Sequence, residues 1–313
     1  MRLKPNNIGL GGCSILSIGS SKLYEYTEVG QPILVVPSMI NKAYIMDLPG
    51  KSLIRSLCKQ GFRPYVIEWG QPGETEEVMD LNDYILERLN QFVDYIISND
   101  CETPMLLGYC MGGIMATLYA SMKPEKVEAV VQLATPWDFA KGNFIQRPPH
   151  KLLQYFKKQA FVPKEFFQLG FYISKFAEVN QKYIKFARKE LDASNFVEVE
   201  SWVDDGIDMP KLVFSQLMDA IYQNKLIQST FPIGSIYYDM NSIAVPQLSI
   251  VATRDSVVPA DSALAVRGTL PNIDVVYLST GHVGLVTSSG ALVAESIKLW
   301  TQHKKVNKTN SLC

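Results

Sequence analysis

The sequence predicts an α/β protein: a mostly parallel sheet with helices on both faces and a helical cap inserted between two of its strands. Three observations predict it. Short apolar runs alternate with helix-like stretches through residue 133 and again from residue 247, and such alternation belongs to parallel sheets, whose crossovers are helical. Between the two stretches, residues 137–239 show little strand pattern yet hold 12 of the 14 phenylalanines, so they read as an insertion. Finally, Gly108-Tyr109-Cys110-Met111-Gly112-Gly113 stands directly after an apolar run and directly before a helix-like run.

The elements follow in order. Ile33-Leu34-Val35-Val36 is a short buried strand. Residues 47–61 read as one helix opened by Asp47, with Leu53, Ile54 and Leu57 at helical spacing and Gly61 as its stop. Residues 65–69 are the next strand, and Gly70-Gln71-Pro72-Gly73 is a turn. Asp80 is placed to cap a long helix reaching about Ser98. Residues 105–108 form the strand that feeds the glycine motif, 111–122 its helix and 127–133 a further strand. After the insertion come a strand at 247–252, a helix from about Ala260, a strand at 275–278 and a last helix from Ala291 to about His303, with 307–313 reading as a frayed tail. The expected division is therefore a core of residues 1–136 and 240–303, a cap or lid of residues 137–239, and a tail of residues 304–313.

Composition narrows the function. Of the 313 residues 47 % are hydrophobic and 19 % charged, enough apolar mass for one large α/β domain with an insertion. The net charge is −1 and the pI about 6.3, with no basic stripe, which argues against nucleic acid as a partner. No apolar run reaches the roughly 18 residues that suggest a membrane span. Five scattered cysteines with no C-x-x-C pair fit a reducing compartment and argue against a disulfide framework or a zinc site. Gly11-Gly12-Cys13 is faintly like a lipoprotein cleavage box, but the residues before it are too few and too polar for a signal peptide. The expected location is cytoplasmic.

The motif around Cys110 has the context of a nucleophile elbow, with cysteine in place of serine. A nucleophile on so sharp a strand-to-helix turn is strained, and strand and helix approach closely, so residues without a Cβ are expected at Gly108 and Gly112. An acyl group on sulfur stays activated and can pass to an alcohol, which points to acyl transfer more than to hydrolysis. In an α/β-hydrolase sheet the chain order is nucleophile, acid, histidine, each just past a strand. Asp255 follows the strand ending at Ala252, and His282 follows the strand ending at Leu278, flanked by Gly281 and Gly284. Asp261 and Asp274 are rivals for the acid, but one lies inside a helix and the other opens a strand. A free thiol titrates near about 8.5, so a histidine is needed to raise the thiolate fraction, and a carboxylate to fix that histidine's tautomer. Backbone N–H groups for an oxyanion hole are expected from Met111 and from Met39 or Ile40 in the loop after the first strand. Cys13, Cys58, Cys101 and Cys313 read as ordinary small apolar side chains. His150 reads as a loop residue and His303 as a surface residue of the last helix. The aromatic insertion reads equally well as a second core or as a substrate channel.

These residues resemble the polyhydroxyalkanoate synthases of the α/β-hydrolase superfamily. Residues 36–42 with 44–48 resemble the segment after the family's first core strand, and residues 60–62 with Ile67-Glu68-Trp69-Gly70 resemble its next helix–strand unit. Gly108-Tyr109-Cys110-Met111-Gly112-Gly113 resembles the elbow of its short, two-subunit (class III and IV) members. Phe214 with Tyr222-Gln223-Asn224-Lys225-Leu226 resembles a cap motif that ordinary hydrolases lack. The likeness spans residues 32–290, without the long N-terminal extension of the one-subunit enzymes, and the chain is short at both ends even beside the two-subunit type. It implies polymerisation of (R)-3-hydroxyacyl-coenzyme A into a polyester with release of coenzyme A. Cys110 would carry the growing chain as a thioester, His282 would deprotonate the thiol, and His282 or Asp255 would activate the attacking 3-hydroxyl. It further implies no bound cofactor and no metal, coenzyme A thioester serving as substrate. The implied partners are the polyhydroxyalkanoate chain and a separate helical synthase subunit, the assembly a homodimer or hetero-oligomer, and the setting the surface of polyester granules. Two other readings use the same features: a thioesterase or polyester hydrolase with the same three residues, and a non-catalytic granule scaffold.

Overall fold

The computed structural model describes residues 9–141, 150–174, 193–270 and 272–310. Its main sheet has eight strands: β1 (Cys13–Ile18), β2 (Ser21–Glu25), β3 (Gln31–Val36), β4 (Phe62–Glu68), β5 (Met105–Tyr109), β6 (Val130–Leu133), β7 (Gln247–Ala252) and β8 (Ile273–Leu278). Their spatial order is β1-β2-β4-β3-β5-β6-β7-β8. The six strands from β4 to β8 run parallel, and the β1–β2 hairpin lies antiparallel against β4. The chain winds outward in both directions from the β3–β5 boundary, and at such a switch point the strand C-terminal ends open a crevice.

Strand side chains alternate between two faces, and each face carries its own core. Ile33 and Val35 of β3 join Leu107 of β5 on one face, with Leu53, Ile54 and Leu57 of α1 (Leu53–Lys59). Leu34, Val36 and Leu106 point to the other face. There they meet Phe92, Val93 and Ile96 of α2 (Leu89–Asp100) and Ile114 and Leu118 of α3 (Met111–Met122). Being covered on both sides is why these strands read as continuous apolar runs.

The helical run opens at Leu81 and passes through a π-helical stretch, Asp83–Arg88, into α2, and Asp80 caps it as expected, its Oδ1 accepting from the N–H groups of Asn82 (2.7 Å) and Asp83 (3.0 Å) while Asp83 accepts from Asp80 N–H (2.7 Å). The helix expected from Asp47 instead begins at Leu53. Ser52 caps it, accepting from Arg55 N–H (2.9 Å), because the Asp47 carboxylate is occupied by Gly11 N–H (2.9 Å), Tyr26 hydroxyl (2.8 Å) and Ser52 hydroxyl (2.7 Å). The β1–β2 hairpin has no counterpart in the sequence expectations, since its strands are short, partly polar and half exposed.

Between β6 and β7 lie helices α4 (His150–Phe156), α5 (Lys164–Ser174), α6 (Ala193–Asp204) and α7 (Lys211–Tyr222), with a hairpin of Thr230–Ile233 and Ile236–Asp239 that the low strand signal had not announced. His150, expected in a loop, opens α4. Phe144 and Phe176 lie outside the described residues, and Phe171 is placed only as backbone. Two short helices, α8 (Ala260–Leu264) and α9 (Val266–Thr269), follow β7, and α10 (Gly290–Asn310) ends the described chain. That last helix carries exposed His303 and runs through residues expected to fray. Among the described residues no helix is long and apolar enough to cross a membrane.

Candidate active site

β5 turns into α3 at Cys110, whose backbone sits at φ 54° and ψ −122°, a region that L-residues rarely enter. The turn is held by Cys110 N–H donating to Leu133 carbonyl (2.9 Å) and Gly113 N–H donating to Cys110 carbonyl (3.0 Å). The glycines have steric causes. A Cβ on Gly108 would stand 2.3 Å from Gly113 Cα, one on Gly112 2.0 Å from Val36 carbonyl oxygen, and one on Gly113 1.8 Å from Thr135 Oγ1. Sequence reasoning named the first two; the third depends on Thr135, which only the fold brings there.

Asp255 is locked in the loop after β7. Its Oδ1 accepts from Val257 N–H (2.7 Å) and Val258 N–H (2.8 Å), which leaves Oδ2 for His282 Nδ1 at 2.7 Å. The acid loop is tied to the histidine loop by Arg254 N–H donating to Thr280 carbonyl (3.0 Å). With Nδ1 engaged by Asp255, Nε2 is the ring nitrogen left free to serve Cys110. Burial by itself would lower the His282 pKa; the negative sulfur and the Asp255 hydrogen bond outweigh it and push it up to about 10. Of the two loop glycines, Gly284 is required, a Cβ there falling 2.3 Å from Thr280 Oγ1, whereas Gly281 has room. The rival Asp274 faces away, accepting from Trp300 Nε1 (2.6 Å) and pairing with Lys304 (2.8 Å).

Tyr109, which sequence reasoning passed over, is buried beneath the site. Its ring centroid is 5.0 Å from that of His282, and its hydroxyl donates to His282 carbonyl at 3.4 Å. Burial first, then the nearby charges of Cys110 and Asp255, hold its phenol protonated well above the ordinary range.

A match to the family described as "alpha/beta hydrolase fold" covers residues 31–289. A poly(3-hydroxyalkanoate) polymerase subunit PhaC of Synechocystis is 30 % identical over 85 % of this chain and 77 % of its own length. The chain belongs to the PhaC family, within the alpha/beta hydrolase fold. The PhaC of Haloferax mediterranei is 33 % identical over 84 % of this chain, yet the chain spans just over half (56 %) of that relative. The Allochromatium vinosum PhaC is 28 % identical over 87 % of this chain and 81 % of its own length. Among solved structures, a thioesterase domain from the curacin biosynthetic pathway superposes with a TM-score of 0.57 at 13 % identity, covering 91 % of this chain and 97 % of that one, which is a likeness of fold alone.

Within that fold, oxyanion donors would come from two places. Met111 is the first residue of α3, so its N–H has no acceptor within the helix. In the loop after β3, Ile40 N–H is turned to Ser38 Oγ at 3.4 Å, which makes Met39 the better donor of the pair. The insertion between β6 and β7 reaches the same corner. Phe214 of α7 meets Phe156 and Phe166 edge-to-face, at 5.8 and 5.6 Å. One and two turns on, Leu217 and Ile221 close a small apolar cavity of about 20 Å³ with Met111, Ile114 and Phe139. Asn224, held in a left-handed turn (φ 45°), accepts from Phe139 N–H (3.0 Å) and donates to Asp138 (2.8 Å). That motif thus fastens the end of α7 to the point where the chain leaves β6.

Proposed function

We propose that the chain is a polyester synthase that moves (R)-3-hydroxyacyl groups from coenzyme A thioesters onto a growing polyhydroxyalkanoate through a thioester on Cys110. The observation that carries this reading is a cysteine on the strand-to-helix elbow together with a histidine that Asp255 orients, in a chain of the PhaC family. His282 takes the thiol proton through Nε2. The thiolate attacks the thioester carbonyl, the bond from that carbon to the coenzyme A sulfur breaks, and the proton passes to the departing thiolate. In the next step the 3-hydroxyl of an acceptor gives its proton to His282 and attacks the Cys110 thioester, and the new ester bond lengthens the chain. Asp255 is a permanent orienter: with Oδ1 held by two N–H groups, its Oδ2 has one partner, the Nδ1 that stabilises the charged ring. Met111 and Met39 N–H groups receive the oxyanion. No cofactor or metal takes part. A separate helical subunit, assembly as a homodimer or hetero-oligomer, and docking at the polyester granule belong to the same reading.

Incubation with 3-hydroxybutyryl-coenzyme A, with and without a candidate partner subunit, tests it. The expected products are polymer and free coenzyme A in step. Cys110→Ala should abolish both, and Cys110→Ser should keep a small remainder, since serine retains the geometry but is a weaker nucleophile. Hydroxy acid in place of polymer would identify a hydrolase, and near-normal polymer from the alanine variant would end the covalent mechanism.

A further inference from the structure

The loop between β3 and the buried 3-10 turn Ala43–Met46 supplies Met39, and it is gripped from two sides. On the sheet side Trp69 Nε1 donates to Pro37 carbonyl (3.1 Å) and Ala43 N–H donates to Glu68 (2.9 Å). Ile40, Asn41 and Lys42, which follow Met39 between those anchors, are held by the end of α6 and the turn after it. Trp202 Nε1 donates to Lys42 carbonyl at 2.7 Å, and Asn41 Nδ2 donates to Trp202 carbonyl at 3.2 Å. Lys42 Nζ meets Asp205 Oδ1 at 2.7 Å, and Ile207 N–H donates to Ile40 carbonyl at 3.0 Å. Asn41 and Gly206 add an antiparallel bridge, so close that a Cβ on Gly206 would lie 3.2 Å from Ile40 carbonyl oxygen.

We infer that Trp202 is a positioning residue: by holding the Lys42 carbonyl it fixes the course of the loop just after Met39, and through the loop steers the N–H that meets the carbonyl oxygen of an acyl group on Cys110. The cap would then complete the oxyanion hole as well as cover it. The inference rests on the acyl-transfer reading of Cys110. A lone ring packed on the core would need no such set of bonds. Each of these runs to the backbone or to a neighbouring side chain of one six-residue loop, on both flanks of Asn41.

Two reactions of the same sulfur separate positioning from general structure. Alkylation by iodoacetamide forms a sulfur–carbon bond as carbon–iodine breaks and iodide leaves; no oxyanion develops. Acylation by p-nitrophenyl acetate also forms a sulfur–carbon bond, but through a tetrahedral oxyanion. The ester carbon–oxygen bond then breaks, p-nitrophenolate leaves, and the thiol proton stays with His282 or passes to solvent. In the full chain, Trp202→Phe keeps the ring and loses the donor. Its alkylation rate is expected to stay within about twofold of wild type while kcat for acylation falls about tenfold or more with KM little changed, a part of the hundredfold or larger cost of losing an oxyanion donor. Asp205→Asn, a milder change near the surface, should show the same selective loss at smaller size, and stands in if the phenylalanine variant does not fold. Equal rates in variant and wild type, or both reactions falling together, overturn the inference. The ester carries neither coenzyme A nor a hydroxyl, so failure of the polymer assay alone sinks the synthase reading and leaves this test standing. A wild-type chain that is alkylated but never acylated sinks both.

Discussion

His282 is paired with the buried Asp255 carboxylate, and its charge is therefore part of the folding balance as well as of the chemistry. Asp255 holds Nδ1, and the electrostatic influence of Cys110 and Asp255 lifts the ring to about 10 against the opposing effect of burial. The folded value stands above the unfolded value of about 6.5. The stabilisation is thus fully present below about 6.5 and is lost as pH rises through about 10. His282→Gln is expected to lower the urea midpoint most near pH 6 and least above pH 10, read from unfolding curves of both proteins at each pH. A midpoint difference that does not change with pH would mean that the ring is not held charged. Of the residues at this centre, Cys110, Asp255 and His282 were legible as a sequence order after strands. Tyr109 was not, because nothing in a one-residue neighbourhood says that a tyrosine will lie under a histidine 173 positions away.

The elbow is a matter of clearances between elements. α3 presses so close to β3, to β5 and to Thr135, two residues beyond β6, that three glycines are needed, and the tightest clearance, 1.8 Å, faces a side-chain hydroxyl. Gly113→Ala is expected to lower the melting temperature by several degrees or prevent soluble expression. Adding Thr135→Ala should recover only part of the loss, because Thr135 Cβ itself lies 2.9 Å from the new methyl. Full recovery would show that the hydroxyl was the sole obstacle. The N-terminal hairpin depends on a different device. Glu76, nearly fully buried, accepts from the N–H groups of Ser20 (2.9 Å) and Gly73 (2.9 Å), from the Thr75 hydroxyl (2.9 Å) and from Arg88 (3.2 Å). Arg88 in turn reaches Ile18 carbonyl (2.6 Å) and Ser21 (2.9 Å). Burial opposes the carboxylate, but these donors win and lower its pKa to about 2. The folded value is depressed, so the stabilisation is present above the unfolded pKa of about 4.3 and fades as pH falls toward 2. It amounts to roughly 3 kcal/mol at neutral pH. Glu76→Gln should cost that order of stability at pH 7 and little at pH 2, as a pH series of denaturant midpoints would reveal.

At the scale of the whole molecule, the insertion between β6 and β7 leaves from the strand ends where the crevice opens, and α7 sits against Met111, the residue after Cys110. If this contact keeps water from the thioester, opening it should divert acyl groups to hydrolysis. Leu217→Ala is expected to cost about 2–3 kcal/mol of stability and to raise the share of free hydroxy acid over polymer, measured in one assay with 3-hydroxybutyryl-coenzyme A. The same stability loss with an unchanged product ratio would make α7 a packing helix at this point and no barrier to water.

What the sequence determined by itself was whatever short-range sterics and pattern govern: the alternation of strands and helices, the glycines of a turn too sharp for a Cβ, and the placing of Cys110, Asp255 and His282 after strands. Asp80 capping its own helix belongs here too, because the groups it binds are two and three residues away. The tertiary structure decided what depends on groups far apart in the chain. Asp47 lost its expected helix start to partners as distant as Gly11, 36 residues before it. The polar β1–β2 hairpin became a sheet edge because Glu76 and Arg88 fasten it there. Trp202 reached Lys42 across 160 residues. A hydrogen bond of that span leaves no trace in local periodicity, since neither partner's neighbours need change for it to form; only the packing of cap on sheet brings donor and acceptor together.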